Sequence, residues 1–315
     1  PRFNTSNLSN IYQINFEKLS HLSNLITFSF DVGPNQKSQL EVFNLDKINT
    51  IPQLRTLGLR ALKMDDGVYN VLESTTPYNI KDFTISPFTN GVESISNFTF
   101  SGFKNTLEKL TIEDFYGNLN NNFLSNLPNL RSFTYIGEFN NFPTNLSNSQ
   151  KLEEVTLKNK FSDLTIPAQI SDLTNLKSLD FKAARIYLPS TLSNLKKLTS
   201  IKFQLENTEG LESITTISSL TNLMINFNTT SKKRLDLQQL KNLKQLEYIS
   251  NTTQFDDADY TLPSNINQLR ELERLDITIN KSPIEINQLS NLKRLSVRYI
   301  NSDLFPKIDF SQNTS

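Results

Sequence analysis

The sequence predicts an α/β solenoid, a short coil repeated along the chain so that its strands line up as one parallel sheet. Three observations predict it. Leu (45) and Asn (39) together make up about a quarter of the 315 residues, a bias that repetition produces. Five tracts share one apolar spacing, with Pro at the same phase in each. Every tract closes on an L-x-L alternation, the pattern of a short strand with one buried face.

The clearest tract is I-P-A-Q-I-S-D-L-T-N-L-K-S-L-D-F, from Ile166 to Phe181. It recurs from Leu188 to Phe203 and from Leu262 to Ile277, and with one substitution each from Phe142 to Leu157 and from Ser282 to Val297. Within it the steps of three suit a helical or 3-10 turn on the far side of the coil. Pro at the front presets the turn into that segment. One coil cannot bury its own Leu face, so neighbours must stack, which buries a continuous core and aligns the strands. Weaker copies extend the pattern both ways. Anchored on the residue three before the alternating pair, the units fall at Leu25, Leu54, Ile80, Leu107, Leu130, Leu152, Leu176, Leu198, Leu220, Leu243, Leu272 and Leu292, twelve units at a mean spacing of about 24.

These units resemble the leucine-rich repeat family, closest to its 24-residue type, over about residues 15 to 305. The resemblance implies a horseshoe with a parallel concave β-sheet and a helical, 3-10 or irregular convex side. It also implies binding of a protein or peptide by the concave face. The family usually closes its strand motif as L-x-L-x-x-N, with an Asn whose side chain bonds backbone in the turn. Asn228, Asn251 and Asn280 match, whereas Ala184 and Lys160 stand at that place in other units, which predicts irregular turns. A single domain, 1–315, is expected, with residues 1–15 and 304–315 shielding the ends of the stack. Two spacings of 29, after Leu25 and Leu243, place insertions at Asp31–Lys37 and Gln254–Tyr260, and the second unit leaves through an irregular K-M-D-D-G-V-Y starting at Lys63.

Composition removes several functions. Lys plus Arg and Asp plus Glu are both 32, so there is no excess of positive charge to neutralise a nucleic acid or hold a membrane surface. Cys is absent, which excludes disulfides, thiolate metal sites and cysteine nucleophiles. The one His, His21, leaves no histidine triad or multi-histidine metal site. No run of 18 apolar residues exists, so no membrane insertion is expected. The opening PRFNTSNLSN lacks the basic and apolar regions of a signal peptide. A secreted or cell-surface location is favoured over a cytoplasmic one, because a chain without Cys suits a bacterial surface protein.

No constellation of residues assigns a catalytic centre, a metal site or a cofactor. Asp256, Asp257 and Asp259, and Asp65 with Asp66, are short acidic clusters without the spacing of a calcium loop, and read as solvated loops. Glu153 and Glu154 are adjacent on a strand and point to opposite sides, so they cannot share an acid/base step. Lys232, Lys233 and Arg234 read as a solvated loop, and His21 as a surface residue. The eight N-x-S/T sequons (at Asn4, Asn7, Asn97, Asn145, Asn228, Asn251, Asn280 and Asn313) are no more than chance placement gives in so Asn-rich a chain. Phe28, Phe30, Phe83, Phe133, Phe181 and Phe203 fall at core positions of the repeat.

What remains is the face between the buried strand positions. Twelve strands at about 4.8 Å give a surface roughly 50 Å long. Its first half is small and Thr-rich. Its second half is charged and mixed, and the candidate binding residues are Asp180, Lys182, Lys202, Gln204, Met224, Asn226, Glu247, Ile249, Arg274, Asp276, Thr278 and Arg298. The partner expected is a protein or peptide, with no nucleic acid. The alternative is a structural or adhesive surface protein that binds glycan or associates with itself through flanks or ends.

Overall fold

Each L-x-L tract forms a strand that starts two residues after its anchor. The computed structural model describes residues 10–31, 38–87, 98–117, 119–139, 141–146, 148–159, 162–206, 210–228, 235–251, 263–279, 284–299 and 308–309. The chain divides into two compact units, 1–157 and 158–315.

The first unit contains β1 (Asn10–Asn15), β2 (Thr27–Phe30), β3 (Ser38–Phe43), β4 (Thr56–Leu62), the short helix α1 (Asp66–Leu72), β5 (Asp82–Pro87), β6 (Lys109–Tyr116), β7 (Ser132–Glu138) and the first four residues of β8 (Glu154–Asn159), whose last two belong to the second unit. The sheet runs β1-β3-β4-β5-β6-β7-β8, and β2 lies against β4. The register follows the repeat: Leu57, Phe83, Leu110 and Phe133 face one another in turn, as do Leu59, Ile85 and Ile112. All seven are within 1% of full burial, and each such side chain contributes roughly 1.5–3 kcal/mol. Tyr135 continues the second row; burial pushes its hydroxyl pKa well up, and the hydroxyl donates to the Gly117 carbonyl at 2.8 Å.

The second unit contains β9 (Leu164–Thr165), β10 (Ser178–Ala183), β11 (Ile186–Tyr187), β12 (Ser200–Leu205), β13 (Asn222–Phe227), β14 (Gln245–Ser250), β15 (Arg274–Ile279), β16 (Ile284–Glu285), β17 (Arg294–Tyr299) and β18 (Ile308–Asp309). Its long strands pair in parallel in the order β10-β12-β13-β14-β15-β17, and β9 with β11 and β16 with β18 make short parallel pairs outside that sheet. Leu179, Ile201, Leu223, Leu246 and Leu275 form one buried row; Phe181, Phe203, Ile225, Tyr248 and Ile277 form the next. The expected turn segments are 3-10 helices at Ala168–Asp172, Ser190–Asn194 and Glu212–Thr216, each burying one apolar residue (Ile170, Leu192, Ile214). Pro167 and Pro189 precede the first two in an extended conformation, which hands the chain into the turn.

The coils are tied by an asparagine ladder at a position the motif did not suggest. Asn precedes the anchor in N-L pairs, and its amide closes the carbonyl of the preceding coil. Asn129 Nδ2 donates to Asn105 O at 2.7 Å, Asn242 to Ser218 O at 2.9 Å and Asn291 to Arg270 O at 2.9 Å. Where Lys replaces Asn it reaches the amide oxygen of the coil before: Lys151 to Asn129 and Lys197 to Asn175, both at 2.6 Å. The turn role expected of the matching Asn residues is corrected. Asn228 and Asn251 are exposed; Asn228 donates to the Glu206 carboxylate and Asn251 accepts from Arg298. Asn280 lies outside the described residues.

The first coils depart from the repeat in four ways. Residues 38–43, after the first insertion, form a strand that pairs with β1 and, at Leu40, with Leu62 of β4. The register of β4 shifts between Leu59 and Leu62, where Ala61 takes a positive φ of 54°. Phe28 and Phe30 are only half-buried, because β2 pairs with β4 alone. The irregular exit of the second coil is α1. Its N-terminus is capped by Asp65, whose Oδ1 accepts the Val68 N–H at 3.2 Å, so Asp65 is a helix cap rather than a loop acid. The carbonyl of Val71 in α1 lies against Gly102, where an added Cβ would meet it at 2.4 Å.

Two predictions arise from this packing. Asn242→Ala should cost about 1 kcal/mol by leaving the Ser218 carbonyl unpaired, and Gly102→Ala about 1–3 kcal/mol by overpacking, both read from denaturant melts. Glu41, Glu108 and Glu273 are held below the ordinary glutamate value of 4.5 by hydrogen bonds from Gln13 and Lys63, from Lys81 and from Lys293 respectively. A carboxylate pKa lower in the folded state contributes stability above its unfolded value and loses it as pH falls through the folded one. The thermal midpoint should therefore fall as pH drops below 4.5, and Glu108→Gln should reduce that dependence.

Candidate functional site

Strand alternation decides which side chains can meet a partner. In β10, Leu179 and Phe181 enter the core, so Asp180 and Lys182 stand on the opposite face of the sheet. Parallel pairing carries the alternation from strand to strand. Asp180, Lys202, Met224, Glu247 and Asp276 form one column, each the partner of the next. Lys182, Gln204, Asn226 and Ile249 form a second, and Thr278 faces Arg298 farther along.

These side chains are engaged to different degrees. Lys202 Nζ lies 3.6 Å from Asp180, a loose ion pair that contributes little. Among the described residues, Lys182, Gln204, Asn226 and Glu247 have no side-chain hydrogen bond or ion pair. Met224 and Ile249 sit half-buried among them.

Two expected members are not displayed. Thr278 is fully buried, and its hydroxyl accepts the Ser250 N–H at 3.1 Å. Asp276 is 7% exposed, and its carboxylate accepts from Arg274 Nε. Both lie on β15, where burial runs unbroken from Leu275 to Ile279 instead of alternating. Two arginines make bonds on this strand's face. Arg274 folds onto Asp276, and Arg298 of β17 reaches across β15 to Asn251 Oδ1 at 3.4 Å. Alternation assigns a residue to a face; it does not show what lies over that face.

The face of the first unit is closed in a similar way. Arg60 of β4 reaches across β5 to Glu113 of β6, with Nε–Oε2 at 2.7 Å and the second guanidinium nitrogen at 2.9 Å from Oε1. This two-pronged pair raises the pKa of Arg60 and lies over Ser86, which is 6% exposed. Asp31 adds a longer contact to Arg60 at 3.7 Å. Beside the pair the column holds small residues: Ser29, Gly58, Thr84, Thr111 and Thr134.

At the ends of the strands in the second unit is a cavity of about 530 Å³. Amide side chains dominate its wall: Asn159, Gln204, Asn226, Asn228 and Asn251. Gln204 and Asn226 were expected on the face; the other three were not read as part of a site. The available signal was Ala184, a small residue where the repeat family places Asn, which lines the same cavity.

The remaining candidates do not assemble a site. His21 is exposed. Glu153 accepts from Arg131 at 2.7 Å and Glu154 from Ser132 at 3.3 Å, so each carboxylate has its own partner. Among the described residues no group of three or more His, Cys, Asp or Glu could hold a metal ion. Asp256, Asp257, Asp259, Lys232, Lys233 and Arg234 lie outside the described residues, as do the sequon residues Asn4, Asn7, Asn97 and Asn313. Asn145, Asn228 and Asn251 are exposed. No helix among the described residues is long and apolar enough to cross a membrane.

No protein-family model and no curated protein sequence matches the chain. Solved structures do. An internalin from Listeria monocytogenes matches with a TM-score of 0.56 at 18% identity, over 88% of this chain and 82% of that one. A leucine-rich-repeat protein from Leptospira interrogans matches with a TM-score of 0.52 at 18% identity, over 91% and 76% of the two chains. The PEPR1–AtPEP1 structure gives 0.52 at 14% identity, over 92% of this chain and 44% of that one. The parallel sheet, the 3-10 turns opposite it and these likenesses together make the fold a leucine-rich-repeat solenoid.

Proposed function

We propose that the chain is a non-enzymatic recognition module, with repeats of the 24-residue type in one domain, that binds a protein or peptide partner on the sheet face of residues 180–249. One observation carries this reading. Lys182, Gln204, Asn226 and Glu247 stand on four neighbouring strands with no internal partner among the described residues, whereas Arg60 and Glu113 in the first unit are bonded to each other. Polar groups set in register on paired strands and not bonded to one another are available to a partner, and the backbone beneath them need not rearrange when it binds. Met224 and Ile249 add apolar area between them, and the mixture of charge signs favours a partner with the complementary pattern. Asp276 and Thr278, covered in the structure, are not part of the proposed surface.

The test exchanges charges without changing their sum. Proteins retained by the purified chain are identified by mass spectrometry, and their affinity is measured for the wild type and for Lys202→Glu combined with Glu247→Lys. The double variant should keep its thermal midpoint and lose roughly 2 kcal/mol or more of binding energy. Equal affinity for the two proteins would remove the face from consideration.

A further inference from the structure

We propose that the cavity at the strand ends of the second unit is a binding site for a neutral saccharide. This goes beyond the protein-binding reading: it assigns a different ligand class to a cavity whose wall shares Lys182, Gln204 and Asn226 with that face. The cavity holds about 530 Å³, room for one or two sugar rings.

The chemistry of the wall selects the ligand class. Among the described residues of the wall, Lys182 and Glu206 contribute one charge of each sign, so these residues give no excess to attract an anion or a cation. Their apolar members are Ala183, Ala184 and Leu205, too little for a lipid chain, and none of the described lining residues is aromatic. The remainder is amide. An amide presents a donor and an acceptor side by side, and each sugar hydroxyl both donates and accepts, so a row of amides matches a ring of hydroxyls group for group. An extended peptide would instead need apolar seats for alternate side chains, which this wall does not provide.

Asn226 is the central residue. Its Oδ1 is shielded from solvent and has no hydrogen-bond partner, a condition that costs stability in a folded protein. Gln204 stands beside it on the adjacent strand, also without a side-chain partner among the described residues. Asn228 is already oriented by Glu206, with its Nδ2 at 3.1 Å from both carboxylate oxygens. The site therefore joins two unengaged amides to a third that is fixed.

The experiment is ligand-observed saturation-transfer NMR on the purified chain with glucose, galactose, mannose, N-acetylglucosamine and their common disaccharides, each at millimolar concentration. Trialanine and triasparagine serve as peptide probes. At least one sugar should bind the wild type. Asn226→Ala should weaken it by roughly tenfold, the loss of about one hydrogen bond, and Gln204→Ala should act in the same direction. The Lys202→Glu, Glu247→Lys variant should bind the sugar normally, since neither residue lines the cavity, so a failed face and a failed cavity are told apart. Absence of transfer to every sugar would overturn the proposal, as would equal binding by Asn226→Ala. Binding of the peptides in place of sugars, lost in Asn226→Ala, would overturn the saccharide class in favour of a main-chain site.

Discussion

The structure depends on one constraint: a single coil has more apolar surface than it can cover. Leu179 and Phe181 are buried only because Ile201 and Phe203 of the next coil lie beside them. Burial of the leucine rows therefore fixes the parallel register, and the register fixes everything on the other face of the sheet. A slip of one residue would turn Lys182 into the core and Phe181 outwards, at a cost of several kcal/mol per coil. The columns on the open face are thus a consequence of the buried rows.

Given that frame, the two units use their sheet faces differently. In the first, Arg60 and Glu113 satisfy each other across an intervening strand and leave Ser86 beneath them. In the second, Arg274 bonds Asp276 on β15 and Arg298 reaches Asn251, whereas β10, β12, β13 and β14 carry only the loose Lys202–Asp180 pair between their candidate residues among the described residues. Long arginines close a face, whereas shorter or unmatched side chains leave it open. The same region ends in an amide-lined cavity, where small Ala184 stands among Asn and Gln residues.

The L-x-L spacing foretold the start of all twelve repeat strands, because period-two burial is a local property that neighbouring coils reinforce. The steps of three and the prolines foretold the 3-10 turns for the same reason. Features that depend on a second residue far along the chain were not legible. The Arg298–Asn251 bond, the Arg60–Glu113 pair and the pairing of β3 with β1 and β4 each join residues distant in sequence. The asparagine ladder was visible as N-L pairs, but only the distance from Asn242 to Ser218 O shows that these amides tie coil to coil. The cavity was half legible: Gln204 and Asn226 follow from strand alternation, while Asn228 and Asn251 were assigned a turn role that their contacts with Glu206 and Arg298 replace.

The central claim is that the unpaired polar strip on β10–β14 is the surface that meets a protein partner. Amine-reactive footprinting of the chain, alone and with a captured partner, tests it most directly. The account predicts that Lys182 and Lys202 become protected, while Lys47 and Lys81 in the first unit react as before. Unchanged reactivity at Lys182 and Lys202, with protection at lysines of the first unit or of the flanks, would contradict it.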